Sequence, residues 1–324
     1  MSRPFAQLIE DGGASAGGDV GGHPAEFFRG AHFLEAEGAT HTLRIETDDA
    51  ELLAPLKVRP IEGGPDRDAI SPYGYPGFTV IGTAPGMEGV PPLDPAAIDF
   101  QRTGLVSLFI RHRLDLVPFA GSTKRNIVQI ADPKLKKKSR PTDRRQVRRN
   151  EEEGYTVELI AGAETKADQR AAFLDLYEQT MRRTGAAGHY FFAAEYFDRL
   201  LPSDRTWMAI ACDPEGVPAA ASIAAVSDGY LHYYLSGSAD AHLGDSPMKN
   251  VVTRLVELSV ELELPLNLGG GLSRGDALEG FKRGFANRTL AWRTSEIVGD
   301  PQRYEELSGD GAAGGFFPAY RAPA

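Results

Sequence analysis

The sequence lacks the features that define several classes of protein. Its 324 residues include one cysteine, Cys212, so neither a disulfide framework nor a cluster of thiolate metal ligands can form. No apolar run approaches the roughly 18 residues of a membrane span. The first residues, MSRPFAQLIEDGG, lack the hydrophobic segment of a signal peptide. We therefore expect a cytoplasmic protein in which Cys212 is a small core residue.

Two familiar catalytic arrangements are also missing. The seven histidines show no HExxH or comparable ligand spacing, so we expect no metal site. GLSRG, residues 271–275, matches the G-x-S-x-G pattern of a nucleophile elbow, but no histidine follows His242 to complete the triad. We expect Ser273 to cap the helix that follows.

Charge is unevenly distributed along the chain. The basic strip, residues 134–149 with the sequence KLKKKSRPTDRRQVRR, carries +8, whereas the net charge of the whole chain is −10. Clustered Lys and Arg release counterions when they bind a polyanion. The strip is therefore either a solvated helix face or linker, or a contact for the phosphates of a short RNA end or a diphosphate. One such strip is too small a footprint for genomic DNA.

The length allows two cores, and glycine-rich segments mark the two ends of the chain. We predict a flexible segment over residues 1–22, domains over 23–140 and 141–305, and a tail over 306–324. In the tail, Phe316, Phe317 and Tyr320 are available to fix the chain to the surface.

The second half shows a regular alternation of strand and helix patterns in the order β-α-α-β-β-β-α-β-α-β. The segments, in that order, are YTVELI, KADQRAAFLDLYEQTMRRTG, AAEYFDRLL, RTWMAIAC, VPAAASIAAV, GYLHYYLS, MKNVVTRLVELSVELE, PLNL, GDALEGFKRGF and TLAWRTSEIV. In the first half, HTLRIE, GFTVIG, GLVSLFIRH and RNIVQI predict strands. DPAAIDFQR predicts a helix with Asp94 as its cap and Pro95 at its first position.

This order resembles the GNAT acyltransferase fold. The segments HYYLSGS (232–238), LNLGGG (266–271) and GFKRGF (280–285) further resemble the FemABX family of tandem GNAT transferases. The resemblance covers most of residues 140–298, and SPYGYPG (71–77) resembles the amino-terminal domain of related bacterial proteins. It implies an α/β fold with a mixed sheet in two tandem GNAT-like domains. It also implies transfer of an amino acid from aminoacyl-tRNA to an amine of a peptidoglycan precursor, with relatives in peptide and nucleoside antibiotic pathways.

The resemblance assigns the catalytic role to Lys282, with Phe281 near the reacting ester. A cation placed beside the developing oxyanion is worth roughly 100- to 1,000-fold in rate. Leu278, Phe281 and Phe285 share a helical spacing and should face the core, which leaves Lys282 at the edge of the apolar stripe. The alternative is a surface lysine lying over apolar neighbours.

Substrate contacts follow from the same resemblance. In the cell-wall enzymes, an arginine four residues before a tyrosine helps hold a nucleotide-sugar diphosphate. The corresponding pair here is Phe192 and Tyr196, so we favour a small peptide or natural-product acceptor. Core packing of the tyrosines and a rigid turn at SPYGYPG are the alternatives. The predicted substrate-binding residues are Tyr73, Tyr75, Arg183, Tyr196, Tyr233, Tyr234 and Asn267.

The donor is predicted to be aminoacyl-tRNA, a co-substrate that makes a bound cofactor unnecessary. The predicted tRNA-binding residues are Lys134, Lys136, Lys137, Lys138, Arg140, Arg144, Arg145, Arg148 and Arg149. A rival is an N-acyltransferase that uses acyl-CoA. The pyrophosphate pattern R/Q-x-x-G-x-G/A, however, occurs only at RRTGAA (182–187), whereas the expected connection SGSADAHLGDSPM carries Asp240 and Asp245. Another rival is a non-catalytic module that binds RNA or a nucleotide-sugar.

Overall fold

The computed structural model describes residues 3–17, 25–309 and 315–322, and we number its strands and helices along the chain. The strands are β1 (Phe5–Ile9), β2 (His41–Glu46), β3 (Ala50–Pro60), β4 (Arg67–Ile70), β5 (Thr79–Gly82), β6 (Ser107–Arg111), β7 (Thr123–Ala131), β8 (Thr156–Ala161), β9 (Thr206–Cys212), β10 (Pro218–Ser227), β11 (Tyr230–Ser238), β12 (Leu266–Asn267) and β13 (Arg288–Val298). The α-helices are α1 (Ala31–Glu37), α2 (Pro141–Glu152), α3 (Ala167–Arg183), α4 (Ala194–Leu200), α5 (Met248–Glu261), α6 (Ala277–Arg283) and α7 (Pro301–Ser308).

The chain divides into two compact units. Unit 1 comprises Met1–Arg125 and Ala291–Ala324, and unit 2 comprises Asn126–Leu290. The predicted domain boundaries at residues 140/141 and 305/306 do not match these units, because the divisions fall inside strands β7 and β13. No glycine- or proline-rich linker marks either point.

Unit 2 contains a sheet with the strand order β7-β12-β11-β10-β9-β8. Neighbouring strands are antiparallel except β11 and β12, which are parallel. Helix α3 packs on β10 and β11, and α5 packs on β8, β9 and β10. The central strands read as nearly continuous apolar runs because helices cover the sheet. The element order predicted for this half of the chain, from β8 to β13, is the observed one.

An opening in the sheet of unit 2 lies at the end of the parallel pair. Strands β11 and β12 pair only at Leu231 with Leu266 and at His232 with Asn267. The residues that follow β12 remain hydrogen-bonded to β7. Leu268 N donates to Gln129 O at 2.9 Å, and Gly269 O accepts from Gln129 N at 3.0 Å. We call the resulting opening, between β11 from Tyr233 onward and residues 268–271, the wedge.

Unit 1 has a sheet with the corresponding arrangement. Its strand order is β1-β2-β3-β4-β6-β13, with β5 paired to β3, and β4 and β6 form a parallel pair. The parallel pairing again covers two positions, Ala69 with Leu108 and Ile70 with Phe109. Four antiparallel strands, a parallel partner and a final antiparallel strand thus occur in both units. This repeat confirms the predicted tandem GNAT-like α/β fold.

Unit 1 also corrects several predictions. The segment predicted to be flexible over residues 1–22 contains β1, which pairs along β2 and buries Ala6, while residues 18–22 lie outside the described part. The predicted helix DPAAIDFQR is two short 3₁₀ turns, the first capped by Asp94 as expected. The tail is fixed by Phe317, which stacks on Tyr304, and by Tyr320, which bonds Ser107 at 2.7 Å.

No helix among residues 3–17, 25–309 and 315–322 is long and apolar enough to cross a membrane. Within the same ranges, no group of three or more His, Cys, Asp or Glu side chains is arranged to hold a metal ion.

Candidate active site

Helix α6 begins immediately after the glycine-rich loop that follows β12. The Asp276 carboxylate caps the helix by accepting from Glu279 N at 2.7 Å, and it also accepts from the backbone N–H groups of Leu272 and Ser273. The prediction that Ser273 is the cap is therefore wrong. A carboxylate can accept several backbone hydrogen bonds at once and favours the positive end of the helix dipole. These hydrogen bonds keep the pKa of Asp276 below its usual value.

Lys282 is buried, which corrects its predicted place at the edge of the apolar stripe. Its exposed fraction is 8%, whereas Leu278, expected in the core, is 39% exposed. The helix ends at Arg283, so buried Phe285 lies beyond it and does not continue the stripe. A buried ammonium is tolerated only where it finds an acceptor. The backbone of the preceding loop provides that acceptor.

The Lys282 ammonium lies across the wedge. Its Nζ donates to Gly270 O at 2.7 Å on the β12 side, and it lies 5.9 Å from the ring centre of Tyr233 on the β11 side. Burial lowers the pKa of Lys282 to about 8, partly opposed by the charge of Asp276. An ammonium has three N–H donors, and Gly270 O accepts from one of those of Lys282.

The three glycines 269–271 allow the loop to approach polar side chains closely. A Cβ at Gly270 would collide with the Asn126 side chain, and a Cβ at Gly271 would collide with the Asp276 carboxylate. Gly269 has a φ of +74°, a conformation that favours glycine. The sequence GGG therefore reflects backbone packing at the wedge rather than a flexible linker.

Tyr233 and Tyr234 lie in different surroundings. In the pairing of β11 with β10, Ala224 opposes Tyr233 and Ile223 opposes Leu235, which leaves Tyr234 as the extra residue of a bulge. Tyr233 OH donates to Ser236 Oγ at 2.6 Å, and burial raises its pKa to about 12. Tyr234 OH instead lies 3.0 Å from Tyr196 OH.

The structure thus separates the predicted substrate residues of unit 2. Tyr233 lies near Lys282 of α6, whereas Tyr234 contacts Tyr196 of α4. Phe192, in the place of the arginine discussed above, stacks on Tyr196 with ring centres 4.0 Å apart. That aromatic pair offers no cation for a diphosphate.

Arg183 and Asn267 are engaged within the protein. Arg183 forms an ion pair with Asp240 and donates to Ser238 O at 3.2 Å. Asn267 is 1% exposed, and its Oδ1 accepts from Gly269 N at 2.9 Å. Arg183, at the end of α3, thus contacts the end of β11 and the turn after it, and Asn267, in β12, contacts the glycine-rich loop that follows.

Tyr73 and Tyr75 belong to unit 1. Tyr75 packs edge to face against Phe28 and Trp292, and Tyr73 N donates to the buried carboxylate of Glu37 at 3.0 Å. Tyr73 is 36% exposed. These contacts describe an ordered turn, and the substrate role predicted for the two tyrosines stays a prediction.

The basic strip contains helix α2, which is docked on α5 by polar contacts. Asn150 Nδ2 donates to Asn250 Oδ1 at 2.7 Å, and Asp143 Oδ1 lies 3.1 Å from Lys249 Nζ. A cavity of about 240 Å³ lies beside this contact and has an apolar floor of Val147, Val256 and Phe285. The basic residues that line it are Lys137, Lys138, Arg144 and Arg148.

The other basic residues of the strip lie outside the lining of this cavity. Arg149 bonds Glu153 at 2.8 Å, and Arg140 stands at the start of α2. The remaining members are the exposed residues Lys134, Lys136 and Arg145. Phe285, which lines the cavity, packs edge to face on Phe281 of α6 with ring centres 5.5 Å apart.

Sequence reasoning missed three groups around Lys282. They are the Gly270 carbonyl, the Asp276 carboxylate and Asn126, whose Nδ2 donates to Gly271 O at 2.8 Å. Three successive glycines before a helix were the visible signal. The partner Asn126 lies 145 residues away in the chain, so no local pattern could identify it.

Comparisons with known proteins agree with this architecture. Residues 137–283 match the family described as an acetyltransferase (GNAT) domain. The structure of FemX is similar with a TM-score of 0.61 and 10% identity, over 93% of this chain and 99% of that one. No curated protein sequence matches the chain.

Two further solved structures show the same fold. One is the C-terminal domain of an Agrobacterium fabrum protein described as a lysylphosphatidylglycerol synthetase, with a TM-score of 0.55 and 14% identity over 90% of this chain and 92% of that one. The other is L-PGS from Bacillus licheniformis, with a TM-score of 0.51 and 14% identity over 83% of this chain and 87% of that one. The chain therefore has the Fem-like tandem GNAT fold that its sequence resembles, with the GNAT domain match located in residues 137–283.

Proposed function

We propose that the chain is an aminoacyltransferase that moves an amino acid from aminoacyl-tRNA to an amine of a small peptide or natural product. The observation that carries this proposal is Lys282, a buried ammonium across the wedge with three N–H donors, from one of which Gly270 O accepts. A fixed cation or hydrogen-bond donor where the carbonyl oxygen gains charge accelerates acyl transfer.

The reaction exchanges an ester for an amide. The acceptor nitrogen attacks the ester carbonyl carbon, and the oxygen becomes an oxyanion that Lys282 stabilises. When the intermediate collapses, the carbon–oxygen bond to the tRNA ribose breaks and the amide forms. The proton lost by the amine balances the proton gained by the departing ribose hydroxyl.

The choice of tRNA as donor rests on the surroundings of α5. In the acyl-CoA alternative, the start of this helix would bind the pyrophosphate. Here Asp245 precedes the helix, and Asn150 of α2 contacts both Asp245 O, at 2.9 Å, and Asn250 in the first turn. The Asp245 carboxylate disfavours a pyrophosphate at this helix start, and the basic cavity beside α2 offers a separate contact for the phosphates of a tRNA.

The choice of a small acceptor rests on the pair Phe192 and Tyr196. Their stacked rings offer apolar surface and a hydroxyl in place of an arginine, so a nucleotide-sugar diphosphate would lose a ligand there. The fold likeness to FemX and to a lysylphosphatidylglycerol synthetase supports transfer of an aminoacyl group in general.

The test is release of labelled amino acids from a mixture of charged tRNAs, with a library of amines as acceptors. We expect new amide products with the wild-type protein and a rate about 100- to 1,000-fold lower with Lys282→Ala. Acetyl-CoA in place of tRNA serves as the parallel donor.

Each alternative result has a distinct meaning. Product formation from acetyl-CoA alone would replace tRNA by CoA as the donor. Binding of tRNA without turnover across the library would make the chain a binding module. Unchanged transfer by Lys282→Ala would remove Lys282 from the mechanism.

A further inference from the structure

We infer that Asn267 and Asn126 are positioning residues, which fix the Gly270 carbonyl and thereby hold the Lys282 ammonium in the wedge. This inference deepens the proposed function, because it rests on the role given to Lys282. It gives Asn267 a role other than the predicted substrate contact, and it gives a role to Asn126, which no sequence motif singled out.

The first part of this arrangement is a series of hydrogen bonds that begins in β11. His232 Nε2 lies 3.2 Å from Ser227 O, a carbonyl that only accepts, so this nitrogen carries the proton. His232 Nδ1 then accepts from Asn267 Nδ2 at 3.0 Å. This bond orients the Asn267 amide so that Oδ1 accepts from Gly269 N at 2.9 Å.

The second part lies on the other side of Gly270. Asn126 Nδ2 donates to Gly271 O at 2.8 Å, while Asn126 Oδ1 accepts from Ile127 N at 2.7 Å. The amide of Asn126 packs on Gly270 so closely that a Cβ would collide with it. Both neighbours of Gly270 are therefore fixed in place by an asparagine.

The consequence for Lys282 is geometric and electrostatic. Gly269 N and Gly271 O are both held, so the two peptide groups between them cannot rotate freely, and the Gly270 carbonyl keeps its direction towards Nζ. A hydrogen bond from an ammonium to a carbonyl favours the charged form of the lysine. The charged form is the one that stabilises an oxyanion.

Titration of Lys282 by NMR tests the inference without any transfer substrate. Protein labelled with ¹³C at the lysine ε-carbons is used, and the Lys282 signal is assigned by its loss in Lys282→Arg. We expect a pKa of about 8 in the wild type. In Asn126→Ala and Asn267→Ala it should fall to about 7, because the ammonium loses part of a charge-assisted hydrogen bond.

The matched control is Asn287→Ala. This asparagine also makes several backbone bonds in unit 2, to Asp132 N at 2.9 Å and Asp132 O at 2.9 Å, but none to residues 269–271. In Asn287→Ala, the pKa of Lys282 should stay at the wild-type value. Because Asn267 is almost fully buried, Asn126→Ala, at a half-buried residue, decides the outcome should Asn267→Ala fail to fold.

A wild-type Lys282 titration in folded Asn126→Ala would overturn the inference, as would an equal shift in the control. Both results are independent of aminoacyl transfer. The proposed function fails separately, if wild-type protein with the expected titration does not consume aminoacyl-tRNA.

Discussion

The parallel strand pairs of the two units begin alike and end differently. In unit 2, pairing stops at His232 and Asn267, and Lys282 lies across the opening. In unit 1, the pair continues past Ile70, because Ser71 N donates to Phe109 O at 2.9 Å and Ser71 Oγ accepts from Arg111 N at 3.0 Å. One sheet is open at this point and the other is closed.

The difference teaches that the strand order alone does not make a site. Both units have the same sequence of antiparallel and parallel neighbours, but in unit 2 the connections after β11 and β12 form helices α5 and α6. The corresponding β4–β6 connection of unit 1 contains β5 and two short 3₁₀ turns. In unit 2, helix α6 brings a cation to the wedge, and α2 with the segment before it brings basic residues to a cavity.

Neutralising the basic residues that line the cavity of unit 2 should have the largest effect on tRNA binding. We expect the variant with Lys137, Lys138, Arg144 and Arg148 changed to Gln to bind tRNA roughly 100-fold more weakly and with a smaller salt dependence. Affinity measured at several salt concentrations provides the check. The matched control changes Lys134, Lys136, Arg145 and Arg149 to Gln, with the same loss of charge. Equal weakening by both variants would show that the cavity has no special part in binding.

The burial of the charged Lys282 side chain at the wedge should reduce the stability of the protein. Because burial lowers the pKa of Lys282 from 10.5 to about 8, the unfolded chain binds more protons between those values, and stability rises with pH there. Below pH 8 the folded protein bears the full free-energy penalty of burying the charged Lys282 ammonium. We therefore expect Lys282→Met to raise the free energy of unfolding at pH 7 by on the order of 2 kcal/mol, while it abolishes most transfer. Denaturant unfolding at pH 7 and at pH 10.5 checks this, since the gain should shrink at the higher pH.

The pH dependence of transfer should report the same lysine. As pH rises through about 8, Lys282 loses its proton and the rate should fall about tenfold per pH unit. The measurement is the transfer rate from pH 6.5 to 10, corrected for spontaneous ester hydrolysis. Lys282→Arg keeps its charge in this range and should lose the alkaline fall. An identical fall in Lys282→Arg would assign it to another group.

The closed pair of unit 1 should matter for stability alone. Ser71→Ala removes the acceptor of Arg111 N and should lower the free energy of unfolding by about 1 kcal/mol. Transfer per folded molecule should stay within about twofold, because no atom of Lys282's surroundings changes. A large loss of transfer at unchanged stability would contradict the view that unit 1 has no open site at its parallel pair.

Much of unit 2 was predictable because its signals are local. Apolar periodicity and turn residues located α3, α5 and strands β8 to β11. The unit boundaries were not predictable, because β7 continues from unit 1 into unit 2 and β13 returns from unit 2 into unit 1. Pairing between strands that are far apart in sequence leaves no compositional mark.

The sequence by itself determined the order of strands and helices in unit 2 and placed a lysine in the helix that became α6. It also contained three successive glycines, a pattern that a crowded backbone requires. The tertiary structure alone decided that this lysine is buried while Leu278 is exposed. It also decided that Asn126, from a distant strand, helps to fix the loop that binds it. Periodicity describes one helix, whereas burial depends on which side of that helix meets the rest of the fold.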